Sequence, residues 1–112
     1  MKMIFETHGH YDDEQFDTDR EQLLEEFQRQ DIRYVMNIGA NIATSKASVE
    51  LAHQYDFIYA AIGTHPDDAP ELSDAAIEMY RQMAVDEKVK AIGEIGLDYF
   101  HEDTGFEFRT IE

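Results

Sequence analysis

Apolar residues along the chain gather in four short runs, at 3–5, 34–38, 57–62 and 89–92. Each run is rich in β-branched or aromatic residues, which favour extended backbone. The third run is almost continuously apolar, which is typical of a strand covered on both faces. The pattern therefore predicts four strands, the first of them at 1–5.

The three segments between these runs carry apolar residues at helical spacing. The first segment places Leu23, Leu24 and Phe27 on one face, after a capping box that Thr18 forms with Glu21. The sequence thus predicts a first helix that begins just after Thr18.

Two further helices are predicted in the same way. Thr44 or Ser45 caps the second helix, and Ser73 with Asp74 opens the third. The apolar residues are Ala47, Leu51, Ala52 and Tyr55 in the second helix, and Ile77, Tyr80 and Ala84 in the third.

Regular alternation of strands and helices indicates an α/β fold with a parallel sheet covered by helices. Two architectures fit the pattern: an open doubly wound sheet, or part of a (β/α)8 barrel. No linker or internal repeat divides residues 1–112, so they form one unit. Residues 101–112 fit neither element type, since Phe106 and Phe108 alternate like a strand while Glu107 and Ile111 have helical spacing.

Composition narrows the possible chemistry. Cysteine is absent, which excludes disulfides, thiolate metal sites and cysteine nucleophiles. Nine Lys and Arg against 25 Asp and Glu give a net charge of −16, which disfavours generic electrostatic binding of nucleic acid. A phosphate-containing substrate would need local positive charge, which a metal ion supplies.

No apolar run reaches the roughly 18 residues of a membrane span, and no secretion signal opens the chain, so we expect a cytoplasmic protein without membrane contact.

Polar residues follow each predicted strand. His8 and His10 follow the first, Asn37 ends the second, His65 follows the third and Glu94 follows the fourth. The carboxyl ends of parallel strands lie along one edge, where ligands bind. We therefore expect these side chains to meet.

His8 and His10 stand two residues apart on an extended segment, so both imidazoles can reach one ion while Gly9 keeps the position between them free of bulk. Glu94, between Gly93 and Gly96, would complete a set of two histidines and one carboxylate, which suits Zn²⁺, Mn²⁺ or Fe²⁺ better than Mg²⁺. The alternative is a polar loop with solvated histidines and a glutamate that points to solvent.

His65, in Gly63-Thr64-His65-Pro66, could bind a phosphate or protonate a leaving group. A turn histidine bonded to backbone is the alternative. Asp98 and Tyr99 either line the site or are structural, His53 is expected on the surface far from the rim, and 12–14 is expected to be a solvated acidic loop.

Four motifs in order carry a family resemblance: THGHYDDEQFDTDREQLLE, NIGAN, YAAIGTHPDDA and KAIGEIGLDYF. The chain resembles the TatD family of metal-dependent deoxyribonucleases, within the amidohydrolase-like superfamily, from residue 3 to about residue 100. The resemblance implies a (β/α)8 barrel that carries one or two divalent ions (Zn²⁺, Mn²⁺ or Mg²⁺) at its C-terminal rim. It also implies hydrolysis of phosphodiester bonds in DNA, single-stranded or at 3′ ends, by a metal-activated water.

The resemblance assigns His8 and His10 as metal ligands, Glu94 as the catalytic carboxylate that bridges or completes the metal pair, and His65 as a substrate-binding residue. Two features depart from the family. Glu6 stands where members usually have Asp, and a barrel of this type needs about 250 residues, whereas this chain has 112.

The chain is therefore expected to be the N-terminal portion of such a hydrolase, the first half of the barrel, without the family's later ligands and with impaired activity. Two alternatives remain open. One is a non-catalytic module that either binds metal or self-assembles, with two copies pairing through their exposed sheet edges. The other is a superfamily hydrolase that acts on another phosphoester, a lactone or an amide.

Overall fold

The computed structural model describes residues 3–98 and contains the predicted alternation of strands and helices. Its strands are β1 (Ile4–Gly9), β2 (Ile32–Ile38), β3 (Ile58–Ile62) and β4 (Val89–Ile92), and its α-helices are α1 (Arg20–Arg29), α2 (Ile42–Gln54) and α3 (Asp74–Ala84). Short 3₁₀ helices lie at Glu14–Phe16 and Pro66–Glu71. The first strand runs further than its apolar residues indicated, so that His8 lies within it rather than after it.

All four strands are parallel and lie side by side in chain order, β1-β2-β3-β4. In register, Val35 of β2 lies opposite Ile58 of β3, and Ile38 lies opposite Ala61. A doubly wound sheet reverses its strand order at a switch point, whereas successive strands of a (β/α)8 barrel do not. The topology thus confirms the α/β prediction and resolves the open choice in favour of the first part of a barrel.

The hydrophobic core lies between the sheet and the helices. Its buried members come from α1, β2, α2, β3 and the turn before β3, and are Leu24, Val35, Leu51, Ala52, Phe57, Ile58 and Ala60. Burial of each large aliphatic side chain contributes about 1.5–3 kcal/mol. Leu24, Leu51 and Ala52 are buried, which confirms the predicted apolar faces of α1 and α2.

The predicted caps of α1 and α2 were wrong. Asp19, not Thr18, precedes α1, and it makes no capping hydrogen bond because residues 17–19 continue in turns from the preceding 3₁₀ helix. Asn41 caps α2: its side chain accepts from the Thr44 N–H, while the Thr44 hydroxyl accepts from the Asn41 N–H. Thr44 is thus the third helical residue of a capping box.

Helix α3 begins as predicted, with the Ser73 side chain accepting from the Ala76 N–H. Its inward face differs, since Ala76 is buried while Ile77 and Ala84 are exposed. Because Ala76 faces the interior, the side chain of the next residue, Ile77, points away from it toward the surface.

Among residues 3–98, no helix combines the length and hydropathy that a bilayer crossing requires. Tyr99, His101 and the unassigned residues 101–112 lie outside the described part of the chain.

Candidate metal centre

His8, at the end of β1, and His10, just after it, meet the glutamate that follows β4. His8 Nε2 lies 3.2 Å from Glu94 Oε1, and the rings of His8 and His10 contact edge to face with centroids 5.0 Å apart. One ligand atom from each of the three side chains falls within 4.8 Å of the others. The expected convergence at the carboxyl edge is therefore present for these three residues.

His10 is fixed in one tautomer. Its Nδ1 lies 2.9 Å from the Ile38 carbonyl oxygen. A carbonyl oxygen only accepts, so Nδ1 carries a hydrogen, and in the neutral ring Nε2 keeps a free lone pair. This arrangement is typical of metal-ligating histidines, whose second nitrogen donates to a carbonyl or carboxylate.

Gly9 separates the two histidines for a steric reason. A Cβ at this position would run into the ring of Tyr11.

Burial is the largest cause that raises the pKa of Tyr11, and the negative charge of Glu6 adds to it. The Glu6 carboxylate also accepts from the His8 N–H at 3.1 Å, so the residue that departs from the family pattern supports the ligand segment.

Asn37 holds the segment that follows His10. The Asn37 side chain is completely buried. Its carbonyl accepts from the Tyr11 N–H at 2.7 Å, and its amide donates to Asp12 Oδ1 at 2.8 Å and to Ser48 Oγ at 2.9 Å. The amide thereby ties the loop after β1 to β2 and α2, and Asp12 belongs to this network rather than to a solvated loop.

Arg20 fastens the same loop from the first turn of α1. Its guanidinium donates to the carbonyls of Tyr11, Asp12 and Asp13 at 2.6–3.1 Å, and to Asp17 Oδ1 at 2.7 Å. Planar guanidinium groups suit several acceptors at once. Sequence reasoning gave Arg20 no role, because an arginine at the start of a helix carries no local signal for such contacts.

Glu94 reaches the site because the chain crosses over the end of β3. The Gly93 N–H donates to the Ile62 carbonyl, as a β4–β3 ladder requires, but the Glu94 N–H donates to the Gly39 carbonyl beyond β2, each at 2.8 Å. Gly63 lies under this crossing, where a Cβ would come within 2.5 Å of the Glu94 carbonyl oxygen. A side chain at residue 63 would therefore displace the backbone of Glu94.

His65 follows β3 at the same edge and caps the 3₁₀ helix Pro66–Glu71. Its Nδ1 accepts from the Asp67 N–H at 3.1 Å. The neutral ring then carries its hydrogen on Nε2, which can donate to an external acceptor. A role in substrate binding stays a prediction, since the turn-histidine contact is also present.

A partly buried polar network holds the turn that contains His65. The Thr64 hydroxyl lies 2.7 Å from Glu71 Oε2 and 2.6 Å from the Tyr80 hydroxyl. Glu71 also accepts from the Ile42 N–H at the start of α2, where a carboxylate complements the helix dipole. Burial is the main cause that raises the pKa of Tyr80.

The remaining described histidine, His53, lies outside this cluster and is half-exposed, as expected of a surface residue. Its Nε2 lies 2.6 Å from Asp86 Oδ2, a contact that joins the end of α2 to the turn before β4. This hydrogen bond is the largest cause that lowers the pKa of the Asp86 carboxyl, and the bond from the Lys88 N–H adds to it.

The chemistry of the three donors fits a divalent ion. Ligand atoms about 2.0–2.2 Å from a four-coordinate ion lie roughly 3.3–3.6 Å from one another, close to the 3.2 Å between His8 and Glu94. The side chains of His8 and Glu94 are 54% and 29% exposed, so small rotations can close the wider separations. Three protein ligands leave a fourth position open.

Comparison with known proteins finds relatives that are named as a metal-dependent hydrolase and as a nuclease. A family model described as TatD-related DNase matches residues 5–110. An uncharacterized metal-dependent hydrolase, YabD of Bacillus subtilis, is 40% identical over 97 residues, which are 87% of this chain and 38% of YabD. The 3′-5′ ssDNA/RNA exonuclease TatD of Pectobacterium carotovorum is 36% identical over 86 residues, 76% of this chain and 33% of that protein.

The fold agrees with this assignment. The crystal structure of YJJV, a TatD homologue from Escherichia coli K12, matches with a TM-score of 0.77 and 31% identity, over 90% of this chain and 40% of that chain. The chain thus spans about two fifths or less of the length of these relatives. With the family model covering nearly all of its sequence, the chain belongs to the TatD-related DNase family.

Proposed function

We propose that this chain supplies the first metal-binding half of a hydrolase that cleaves phosphodiester bonds in single-stranded nucleic acid. The observation that carries the proposal is the meeting of His8, His10 and Glu94 within 4.8 Å. Relatives named as metal-dependent hydrolases and as ssDNA/RNA exonucleases support the choice of reaction and substrate.

In this proposal His8 and His10 bind one divalent ion through ring nitrogens, and Glu94 completes the set. A bound ion of this kind activates water and neutralises charge that develops on a phosphate. Zn²⁺, Mn²⁺ and Mg²⁺ are the candidates, and a nitrogen-rich set favours the first two. A second ion would need ligands beyond these three.

Glu94 has two roles in the proposal. One carboxylate oxygen serves as ligand, and the other can accept a proton from the attacking water. The Glu94 N–H bond to the Gly39 carbonyl keeps the backbone of this residue in place. His65 would donate from Nε2 to a phosphate oxygen of the substrate.

The net charge of the chain explains why substrate binding in this proposal requires a cation at the site. The net charge of −16 repels a polyanion. Positive charge from an ion held at the rim would attract phosphate locally. Binding of the substrate is therefore expected to depend on metal loading.

Calorimetry with Zn²⁺ and Mn²⁺ tests the centre. Wild-type protein is expected to bind about one ion, as three ligands and an open position allow, and the double substitution His8→Ala with His10→Ala is expected to abolish binding. His53→Ala is the matched control, since His53 lies outside the cluster. Unchanged binding in the double variant would remove the proposed site.

A nuclease assay tests the reaction. Single-stranded DNA and RNA labelled at the 5′ end are incubated with Mn²⁺ and with wild-type protein or Glu94→Gln. Shortening from the 3′ end that Glu94→Gln suppresses would support the proposal. Metal binding without cleavage of either polymer would favour the non-catalytic module, and cleavage of small phosphodiesters, lactones or amides alone would favour another superfamily substrate.

A further inference from the structure

We propose that Ser45 is a positioning residue of the metal centre, so that metal affinity depends on a hydroxyl that belongs to none of the three ligands. The inference rests on the proposed metal site. It concerns how α2 sets the position of Glu94.

Ser45 is completely buried in the first turns of α2. Its hydroxyl donates to the Gly63 carbonyl at 3.2 Å and accepts from the Gly63 N–H at 3.1 Å. A single side chain thus satisfies both backbone groups of the residue that follows β3. Loss of the hydroxyl would leave two buried backbone groups without these partners, which favours a shift of Gly63.

Gly63 touches the backbone of the ligand residue. A Cβ added at Gly63 would lie 2.5 Å from the Glu94 carbonyl oxygen and 2.9 Å from the Gly93 carbonyl carbon. The two chain segments are therefore in contact without any side chain between them. A displacement of Gly63 would pass directly to the Gly93–Glu94 peptide.

Ser45 also packs against Gly39, the residue whose carbonyl accepts from the Glu94 N–H. A Cβ added at Gly39 would lie 2.7 Å from Ser45 Cα and would also meet the hydroxyl. The Gly39 carbonyl accepts from the Glu94 N–H at 2.8 Å. Ser45 therefore packs against both backbone segments that hold Glu94, one beyond β2 and one beyond β3.

This arrangement predicts a specific effect on metal binding. Groups that orient metal ligands typically contribute 10- to 100-fold in affinity. Ser45→Ala is expected to weaken Zn²⁺ binding by about that factor. It should also change the visible absorption of bound Co²⁺, which reports coordination geometry.

The control is Ser73→Ala. Ser73 accepts from the Ala76 N–H at 3.1 Å as the cap of α3, so its loss also removes a serine hydrogen bond. Both variants are compared with wild type by calorimetry and Co²⁺ spectra at a temperature where circular dichroism shows them folded. Ser73→Ala is expected to show wild-type affinity and a wild-type Co²⁺ spectrum. If folded Ser45→Ala also shows wild-type affinity and spectrum, the inference is overturned.

Amide hydrogen exchange on the wild-type protein gives a test that does not need the variant to fold. Coupling between two sites is reciprocal, so saturating Zn²⁺ should slow exchange of the Gly63 amide, whose acceptor is Ser45 Oγ. Unchanged exchange at Gly63 in the loaded protein would overturn the role of Ser45. Absence of Zn²⁺ binding by the wild-type protein would instead overturn the metal centre itself, and the inference with it.

Discussion

His8 Nε2 and Glu94 Oε1 lie 3.2 Å apart, although they belong to opposite edges of the described sheet. Strands are spaced by about 4.8 Å, so a flat sheet would put the first and fourth roughly 14 Å apart. The gap closes in part because the chain after β4 crosses the end of β3 and bonds to Gly39 beyond β2. The candidate site therefore depends on the path of one short segment as much as on the sheet.

Gly63→Ala tests this crossing. The added Cβ would lie 2.5 Å from the Glu94 carbonyl oxygen, and overpacking of this kind typically costs about 1–3 kcal/mol. We expect a lower free energy of unfolding in urea and weaker Zn²⁺ binding. Gly93→Ala is the matched control, because nothing lies within 4 Å of a Cβ there. Equal effects of the two substitutions would contradict the crowding explanation.

Asn37→Asp tests the buried amide. The substitution keeps the shape but replaces the amide that donates to Asp12 with a second carboxylate. Like charges in a buried site and the loss of a donor should together lower the free energy of unfolding by about 2–4 kcal/mol. Chemical denaturation at pH 7 measures this change. Asp12→Asn in the same background should recover part of the loss, and no recovery would argue against this pairing.

The lowered pKa of the Asp86 carboxyl predicts that the free energy of unfolding depends on pH. The pKa of its carboxyl is lowered in the folded protein, first by the His53 hydrogen bond and then by the bond from the Lys88 N–H. Its contribution is therefore present above the pKa of the unfolded carboxyl, about 4, and is lost as the pH falls through the lower folded value. Urea unfolding of wild type and Asp86→Asn should differ at pH 6, and this difference should shrink progressively as the pH falls below about 4. A difference that persists undiminished in acid would contradict this assignment.

Self-association through the sheet edges stays a prediction with a defined salt dependence. Among the described strands, β1 pairs only with β2 and β4 only with β3, and Phe5 and Ile92 are 48% and 58% exposed. A charge of −16 on each chain opposes contact between copies at low salt. Sedimentation velocity should show association that strengthens with protein concentration and with added NaCl, which screens the repulsion. A monomer at every salt and protein concentration would leave the prediction without support.

The sequence by itself determined the order of strands and helices. Burial on one helix face or on alternate strand positions leaves a local periodic pattern, which is why Leu24, Leu51 and Ile58 marked their elements correctly. The pairing of His8 with His10 was also local, since two positions on one extended segment share a side. The parallel direction of the strands then indicated which edge would carry Glu94.

The tertiary structure decided which groups hold these residues in place. Asn41 rather than Thr44 or Ser45 caps α2, because the backbone enters that helix one turn earlier than its hydroxyl residues suggested. Arg20 and Ser45 bond to backbone groups of residues that other elements bring near them. Such contacts leave no periodic signal, because they depend on loop paths and strand register that exist only once the whole sheet has formed.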